Sequence, residues 1–322
     1  MYFNKENSFY HGIMFHHFHD EKIHSKSQGS ISRDEFYKII KHIGLENILN
    51  ANEFYLRLKD NKLENKKVCI TFDDCIKAQI DVALPVLEDL KIKAFFFVYT
   101  SLFDNEPDFL EIYRHFRSNY FNNIDDFYKE FFKLLDKDFK TFLKDNNKFI
   151  ENKKSKFPFY STNDINFRLI RDSLLSKEEY KKIMLIMFKE KKFEPKKYYS
   201  NLFFSEKDIN QLNSLEHIVG LHSHNHHTMI ENLSYEEQKN EYIKCIKKIS
   251  EIISKPQSHI KVMSHPCGSY NHDTLKILKN LGIDLGFKAS MHVEKDRGMK
   301  KINNSTLEIA RKDHSEIIKM IK

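Results

Sequence analysis

Two short, almost wholly apolar runs, Lys67–Asp74 (KVCITFDD) and Lys93–Thr100 (KAFFFVYT), flank a segment in which Ile80, Leu84, Leu87 and Leu90 recur at helical spacing. A strand that is apolar on both faces must be covered on both. Two strands joined by a helix of about a dozen residues must pair in parallel, because a tight hairpin cannot reverse that connection. The pattern recurs along the chain. GIMFHHF (Gly12–Phe18) reads as an earlier strand, and HIKVMS and LGFKAS as later ones. The segment LSYEEQKNEYIKCIKKISEII opens with Ser234 and, three residues on, Glu237, the spacing of a capping box. DTLKILKNLGI reads as a helix stopped by Gly282. The expected architecture is an α/β sheet or barrel, with function gathered at the carboxyl ends of its strands.

From about Asp104 to Lys207 the alternation stops. Phe127, Phe131, Leu134, Leu135, Phe139 and Phe142 lie on a helical stripe there. Strand-like segments resume afterwards, so this stretch reads as a helical insertion into a single domain. Its aromatic stripe reads as core, with a substrate lid as the other reading. The 322 residues can bury one large core or two modest ones. The net charge of +7 is mild. No arginine-rich arm, RNA-binding aromatic motif or zinc-finger spacing accompanies it, which argues against nucleic acid. An anionic substrate, such as a nucleotide- or lipid-linked sugar, would suit its sign. No basic stretch followed by an apolar one opens the chain, so no secretory signal is expected. No apolar run approaches the roughly 18 residues of a membrane helix. Cys69, Cys75, Cys245 and Cys267 lack CxxC spacing and read as free thiols. The expected compartment is the cytoplasm.

Residues able to do chemistry gather at the strand ends. His16 and His17 lie near the end of the first strand, and Asp73 and Asp74 close the second. VGLHSHNHHTM (Val219–Met229) sets four histidines within six positions, and HPCG follows IKVMS. A solvated turn with one aspartate capping the next helix would explain one carboxylate of Asp73–Asp74 and leave the other idle. The chemical reading gives one a metal ion and the other a proton. His222 and His226, four apart, can converge on one ion. Two histidines and one carboxylate, with positions left for water, recur in catalytic sites for zinc and similar metals. On a strand His224 would share their face, so spacing alone does not exclude it.

In this order the segments resemble the polysaccharide deacetylase family, the NodB-homology group or family 4 of carbohydrate esterases. VCITFDDC resembles its first motif, TFDDG. VGLHSHNHHTM resembles its second, with one residue fewer between Ser223 and His226 than some members show. MSHPCGSYN resembles the third motif of the branch that serves surface-polysaccharide biosynthesis, and IMFHHFHD resembles that branch's opening. The likeness spans about 200 residues on both sides of the insertion.

The resemblance implies a distorted (β/α) barrel of about seven strands. It implies hydrolysis of an N-acetyl group, or another N- or O-acyl group, on a sugar. Asp74, His222 and His226 would hold one divalent ion, Zn2+ first, with Co2+, Ni2+ or Mn2+ as alternatives. Asp73 would be the general base toward the attacking water, and the Cys267 N–H would help bind the oxyanion. His265, Pro266 and Gly268 would line the substrate site, together with Arg311, which resembles the branch's C-terminal arginine and stands in for the base-orienting arginine missing from the third motif. That motif has Ser264 and His265 there. The histidine that many members use as catalytic acid is not recognisable. His16 is the first choice for that role, with His265 and His314 in reserve; His17, His19 and His224 read as structural or supporting. Cys75 stands where the family has glycine and reads as a small packed residue, with an extra metal ligand as the alternative. Two other readings are a catalytically silent carbohydrate-binding relative, and a sugar deformylase or small-molecule amidohydrolase.

Overall fold

The apolar runs are strands because each is covered on both sides. The computed structural model describes residues 2–4, 7–136, 138–156, 161–291 and 305–321. Seven strands, β1 (His11–Phe15), β2 (Val68–Phe72), β3 (Phe95–Val98), β4 (Ile218–Leu221), β5 (Val262–Ser264), β6 (Leu285–Phe287) and β7 (Arg311–Asp313), follow the order β6-β5-β4-β3-β2-β1-β7. Every neighbouring pair is parallel. The sheet curls almost shut. Residues just before β7 reach the far edge, where Ile309 N donates to Gly286 O and Lys288 N donates to Ile309 O, both at 2.8 Å. The result is a distorted (β/α) barrel, as the resemblance implied.

The two-residue period of each strand divides its side chains between barrel interior and helix layer. Phe95 and Phe97 of β3, Cys69 of β2, Val262 of β5 and Leu285 and Phe287 of β6 join one buried cluster. The helix Ala51–Lys59 closes it at the strands' amino ends with Phe54 and Leu58. On the other face, the Phe72 and Phe96 rings stack at 4.6 Å, and Phe15, Phe18 and Phe36 continue that layer. Aromatic rings thus fill both sides of β2 and β3.

The flanking helices carry the expected signals. Ser234 and Glu237 form a capping box on Tyr235–Ile252, and the helix His272–Asn280 ends before Gly282, whose φ of 75° an L side chain rarely adopts. Three details differ from expectation. β1 ends at Phe15, leaving His16 and His17 in the loop beyond it. The helix after β2 is not uniform: Gln79–Ala83 is a π turn ahead of Leu84–Asp89. Pro85 lacks the N–H that an α-helix would donate to Asp81, so the preceding turn widens. The His cluster is neither strand nor helix, because β4 stops at Leu221.

The chain groups into two compact units, Met1–Asp108 with Tyr199–Lys322, and Phe109–Tyr198. The second is helical. Its helices Ile124–Lys133, Thr162–Leu169 and Lys177–Glu190 bury Phe127, Phe131, Phe167 and Tyr180 against one another. Among the described residues no helix is long and apolar enough to cross a membrane.

Packing above the barrel core leaves no room at Gly220. A methyl group there would lie 2.6 Å from Val262 Cγ2, 2.7 Å from Val262 O and 2.8 Å from Phe97 Cδ1. Gly220→Ala is expected to lower stability by about 1–3 kcal/mol, the usual range for overpacking a filled core. Guanidinium denaturation measures this, and an unchanged midpoint would show that the strands part freely.

Candidate active site

Continuing the inward alternation one residue past the strands brings together His16 after β1, Asp73 after β2, Tyr99 after β3 and His222 after β4. Ser264 ends β5 beside them. The catalytic candidates are thus the uppermost layer of the barrel filling. The backbone there is bent sharply: Asp74, Cys75, Ser223, His226 and Cys267 all have φ between 50° and 77°. Such conformations cost of order 1–3 kcal/mol each and persist only where their surroundings hold them.

Asp73 is 2% exposed, yet it is fully matched. Arg311 of β7 forks onto it, Nη1 donating to Oδ1 at 2.8 Å and Nη2 to Oδ2 at 2.7 Å. The same guanidinium reaches Ser264 Oγ at 2.7 Å and Lys288 O at 2.6 Å. It also lies over the rings of Phe97 and Phe287, about 6 Å from each centroid. Burial alone would raise the pKa of Asp73, but Arg311, then His222 and His16, hold it below the ordinary carboxylate range. Arg311, expected among the substrate contacts and as the substitute for a base-orienting arginine, is wholly buried; it faces Asp73 and not solvent.

Asp74, His222 and His226 form a tight group whose ligand-type atoms lie within 4.8 Å of one another. Asp74 Oδ1 is 3.1 Å from His222 Nε2 and 3.2 Å from His226 Nε2. Each ring is pinned from behind. His222 Nδ1 is 2.9 Å from Ser264 O, and His226 Nδ1 is 2.5 Å from Asp108 Oδ2. Both rear partners are acceptors, so both Nδ1 atoms carry hydrogen and both Nε2 lone pairs turn toward Asp74. Three acceptors facing one another repel unless a proton or a cation lies among them. Burial opposes a proton on His226, but Asp74 and Asp108 raise its pKa well above the ordinary value.

The remaining histidines of the cluster hold the loop. His224 O accepts from Thr100 N and Ser101 N at 3.1 and 2.9 Å, and its ring bonds Thr100 Oγ1. The buried carboxylate of Glu241 accepts from the N–H groups of His224 and Asn225, at 3.1 and 2.8 Å. His227 lies 3.7 Å from the same carboxylate. The loop therefore turns its even-numbered rings different ways, which spacing could not show.

His16, 23% exposed, places Nε2 3.9 Å from Asp73 Oδ2 and 3.8 Å from Asp74 Oδ2. Burial lowers its pKa, and the two aspartates work against that. The reserve histidines are engaged elsewhere. His265 is fully buried, bonded to Leu307 O and stacked on Tyr270, and burial lowers its pKa to about 3. His314 has its two nitrogens near Met14 O and Gly29 O and stacks on Phe15. His19 bonds Ser30 Oγ; His16 and His17 stack on each other. Cys75 is buried, its thiol toward Tyr99 O at 3.6 Å and its pKa raised by burial, as a packed residue would be. Pro266–Gly268 form a 3₁₀ turn with Pro266 buried, Cys267 exposed and Gly268 at φ 71°. The Cys267 N–H stands at the start of that turn, where no carbonyl within it can accept the bond.

Three supporting residues were not legible in the sequence. Gln79, in the π turn, donates to Asp73 O at 2.6 Å and His16 O at 2.9 Å, tying the ends of β2 and β1 together. Glu241 reads as an ordinary acidic position of an amphipathic helix. Asp108 is one of three acids, with Asp104 and Glu106, in the loop after β3.

The family profile described as polysaccharide deacetylase matches residues 60–151 and 177–286, well over half the chain. Those spans include Asp73, Asp74, His222, His226 and the Pro266–Gly268 turn; His16 and Arg311 lie outside them. Among solved structures, the chain is similar to the Streptococcus pyogenes deacetylase PplD in complex with acetate, at 16% identity over 97% of each chain and a TM-score of 0.53. It is also similar to IcaB from Ammonifex degensii, at 13% identity over 94% of this chain and 91% of that one, TM-score 0.52. A de-N-acetylase from Aggregatibacter actinomycetemcomitans is similar at 13% identity over 97% and 99%, TM-score 0.53. At these identities the likeness is one of fold. Among curated protein sequences none matches the chain.

Removing Arg311 would strand a buried carboxylate. Arg311→Met is expected to cost about 3–5 kcal/mol. The pH dependence should change sign as well. With Asp73 held below its unfolded pKa of about 3.9, the pair's contribution is complete above roughly pH 5 and is lost as pH falls through the folded pKa. Without Arg311, burial raises Asp73 above the unfolded value, so its contribution should weaken as pH rises. Denaturation of both proteins in chelator from pH 4 to 8 tests this; parallel stability curves would refute the assignment.

Proposed function

The chain belongs to the polysaccharide deacetylase family, and on that premise we propose that it is a metal-dependent hydrolase removing an N-acetyl group from a sugar of a surface glycan. The observation that carries the reading is the convergence of His222 Nε2 and His226 Nε2 on Asp74 Oδ1, with an acceptor oxygen behind each Nδ1. That donor set fits one divalent ion held by Asp74, His222 and His226, with Zn2+ first by the preference of imidazole and carboxylate ligands. Charge agrees: Asp73, Asp74 and Asp108 against Arg311 leave two formal negative charges around neutral imidazoles. Bound there, such an ion would polarise the acyl carbonyl and acidify water.

The chain's own residues supply the rest. Asp73, kept ionised and immobile by Arg311, takes a proton from the water whose oxygen bonds to the acyl carbon. The Cys267 N–H, presented by the left-handed turn after Pro266, donates to the oxygen on which negative charge develops. The C–N bond then breaks. His16, partly exposed and facing both aspartates, gives the departing nitrogen its proton, leaving acetate and a free amino sugar. Gln79 keeps the base and this acid in register. The four cysteines among the described residues are free thiols, which supports the cytoplasm as the compartment of this proposal.

The test is acetate release from N-acetylated sugar oligomers and, separately, from nucleotide-linked N-acetyl sugars, with Zn2+ supplied. Asp73→Asn should keep the metal and lose about 10²–10⁴ in turnover. His222→Ala should lose the metal. Similar behaviour of the two variants would refute the division of roles, and no release from any acylated sugar would refute the activity.

A further inference from the structure

His222 and His226 are not equivalent ligands. Behind His222 stands a neutral carbonyl, Ser264 O; behind His226 stands a carboxylate, Asp108 Oδ2, at 2.5 Å. We propose that Asp108 is a positioning residue: it fixes the His226 tautomer, aims Nε2 at the metal position and makes His226 the more strongly donating of the two imidazoles. This inference rests on the metal-site reading above.

The geometry behind it is built, not incidental. Asp108 is 118 residues before His226 in the chain, so local sequence does not bring the two together. Its backbone N–H donates to the hydroxyl of buried Tyr99 at 3.2 Å, and the Tyr99 ring lies 5.5 Å from that of His226. The loop between them is self-closed. Ser101 Oγ donates to Glu106 O at 2.7 Å, Glu106 N donates to Ser101 O at 2.9 Å, and Asn105 takes the left-handed turn at φ 64°. On its other side, Ser101 N holds His224 O, so one loop fixes both the carboxylate and the backbone of the ligand loop it serves. A carboxylate behind a ligating imidazole orients the ring and raises its basicity, and losing it typically weakens metal binding 10- to 100-fold.

The experiment is Zn2+ affinity by competition with a chromophoric chelator, for the wild-type chain, Asp108→Asn and Asp108→Ala. Circular dichroism of the metal-free proteins checks that each is folded; the near-isosteric asparagine serves if alanine is not. The expected result is a 10- to 100-fold weaker Zn2+ affinity in a folded variant. Proton NMR of the Zn2+-loaded proteins gives a second readout, a slowly exchanging His226 Nδ1–H present in the wild type and lost in Asp108→Ala. Affinity within about threefold of wild type, set against the expected 10- to 100-fold, would overturn the role of Asp108 while leaving the metal site intact. A wild-type chain that binds no Zn2+ would instead overturn the metal reading on which the inference stands.

Discussion

The bidentate contact of Arg311 with Asp73 is the constraint on which the site and the closure of the barrel both depend. It joins the last strand to the second across the interior, its partners 238 positions apart in the chain. Gly12 of β1 is where the guanidinium stem passes: an added methyl there would meet Arg311 Cγ at 2.9 Å. Small residue, long cation and strand-end carboxylate are thus one packed unit above the Phe97 and Phe287 rings. Without the cation, two adjacent carboxylates, Asp73 and Asp74, would lie over an aromatic core with only the histidines to offset both. With it, Asp73 is satisfied internally, and Asp74 is left to the histidines.

That division explains how neighbouring aspartates acquire different chemistry. Asp73 receives a fixed, permanent positive charge, which pins its position and protonation. Asp74 faces imidazoles whose charge is conditional. Its φ of 77° matters here, because the left-handed kink turns the chain after β2 and keeps both carboxylates at the same end of the barrel, facing His16, where a continuing strand would have sent them to opposite faces. Cys75, also left-handed, continues the turn and packs its thiol against the end of β3.

Much of this was legible in the chain, and the division between what was and was not has a physical basis. Strand placement followed from the doubly apolar runs, and the Lys67–Thr100 unit fixed parallel topology through connection length alone. His222, His226 and the aspartates stood out because chemistry-bearing residues at strand ends are hard to explain by packing. The loop geometry was not legible: a spacing of four suggested a strand or a helical turn, whereas Ser223 and His226 are left-handed residues on either side of His224 and Asn225, which Glu241 and Thr100 hold. Nor were Asp108, Gln79 and Glu241, since each acts through contacts formed only in the folded chain and carries no periodic signal. Arg311 came to notice only through family resemblance, and its burial could not be read from RKD, a run of charges that suggests a surface.

The left-handed residues show where the fold spends its rigidity. Five non-glycine residues in the site loops hold strained backbone, and each has a nearby anchor or a packed neighbour. Asp74 follows the carbonyl that Gln79 bonds; Cys75 packs its thiol toward Tyr99 O; Ser223 and His226 flank the backbone that Glu241 clamps; Cys267 follows the buried Pro266. At of order 1–3 kcal/mol each, such strain would rival the net stability of a whole domain if nothing compensated it. The compensation lies one layer down, in interdigitated Phe95, Phe97 and Phe287 and the Ala51–Lys59 plug. A filled, aromatic barrel core is what permits an upper layer made of bent loops and buried charge, so the phenylalanine-rich strands and the reactive strand ends are two parts of one solution.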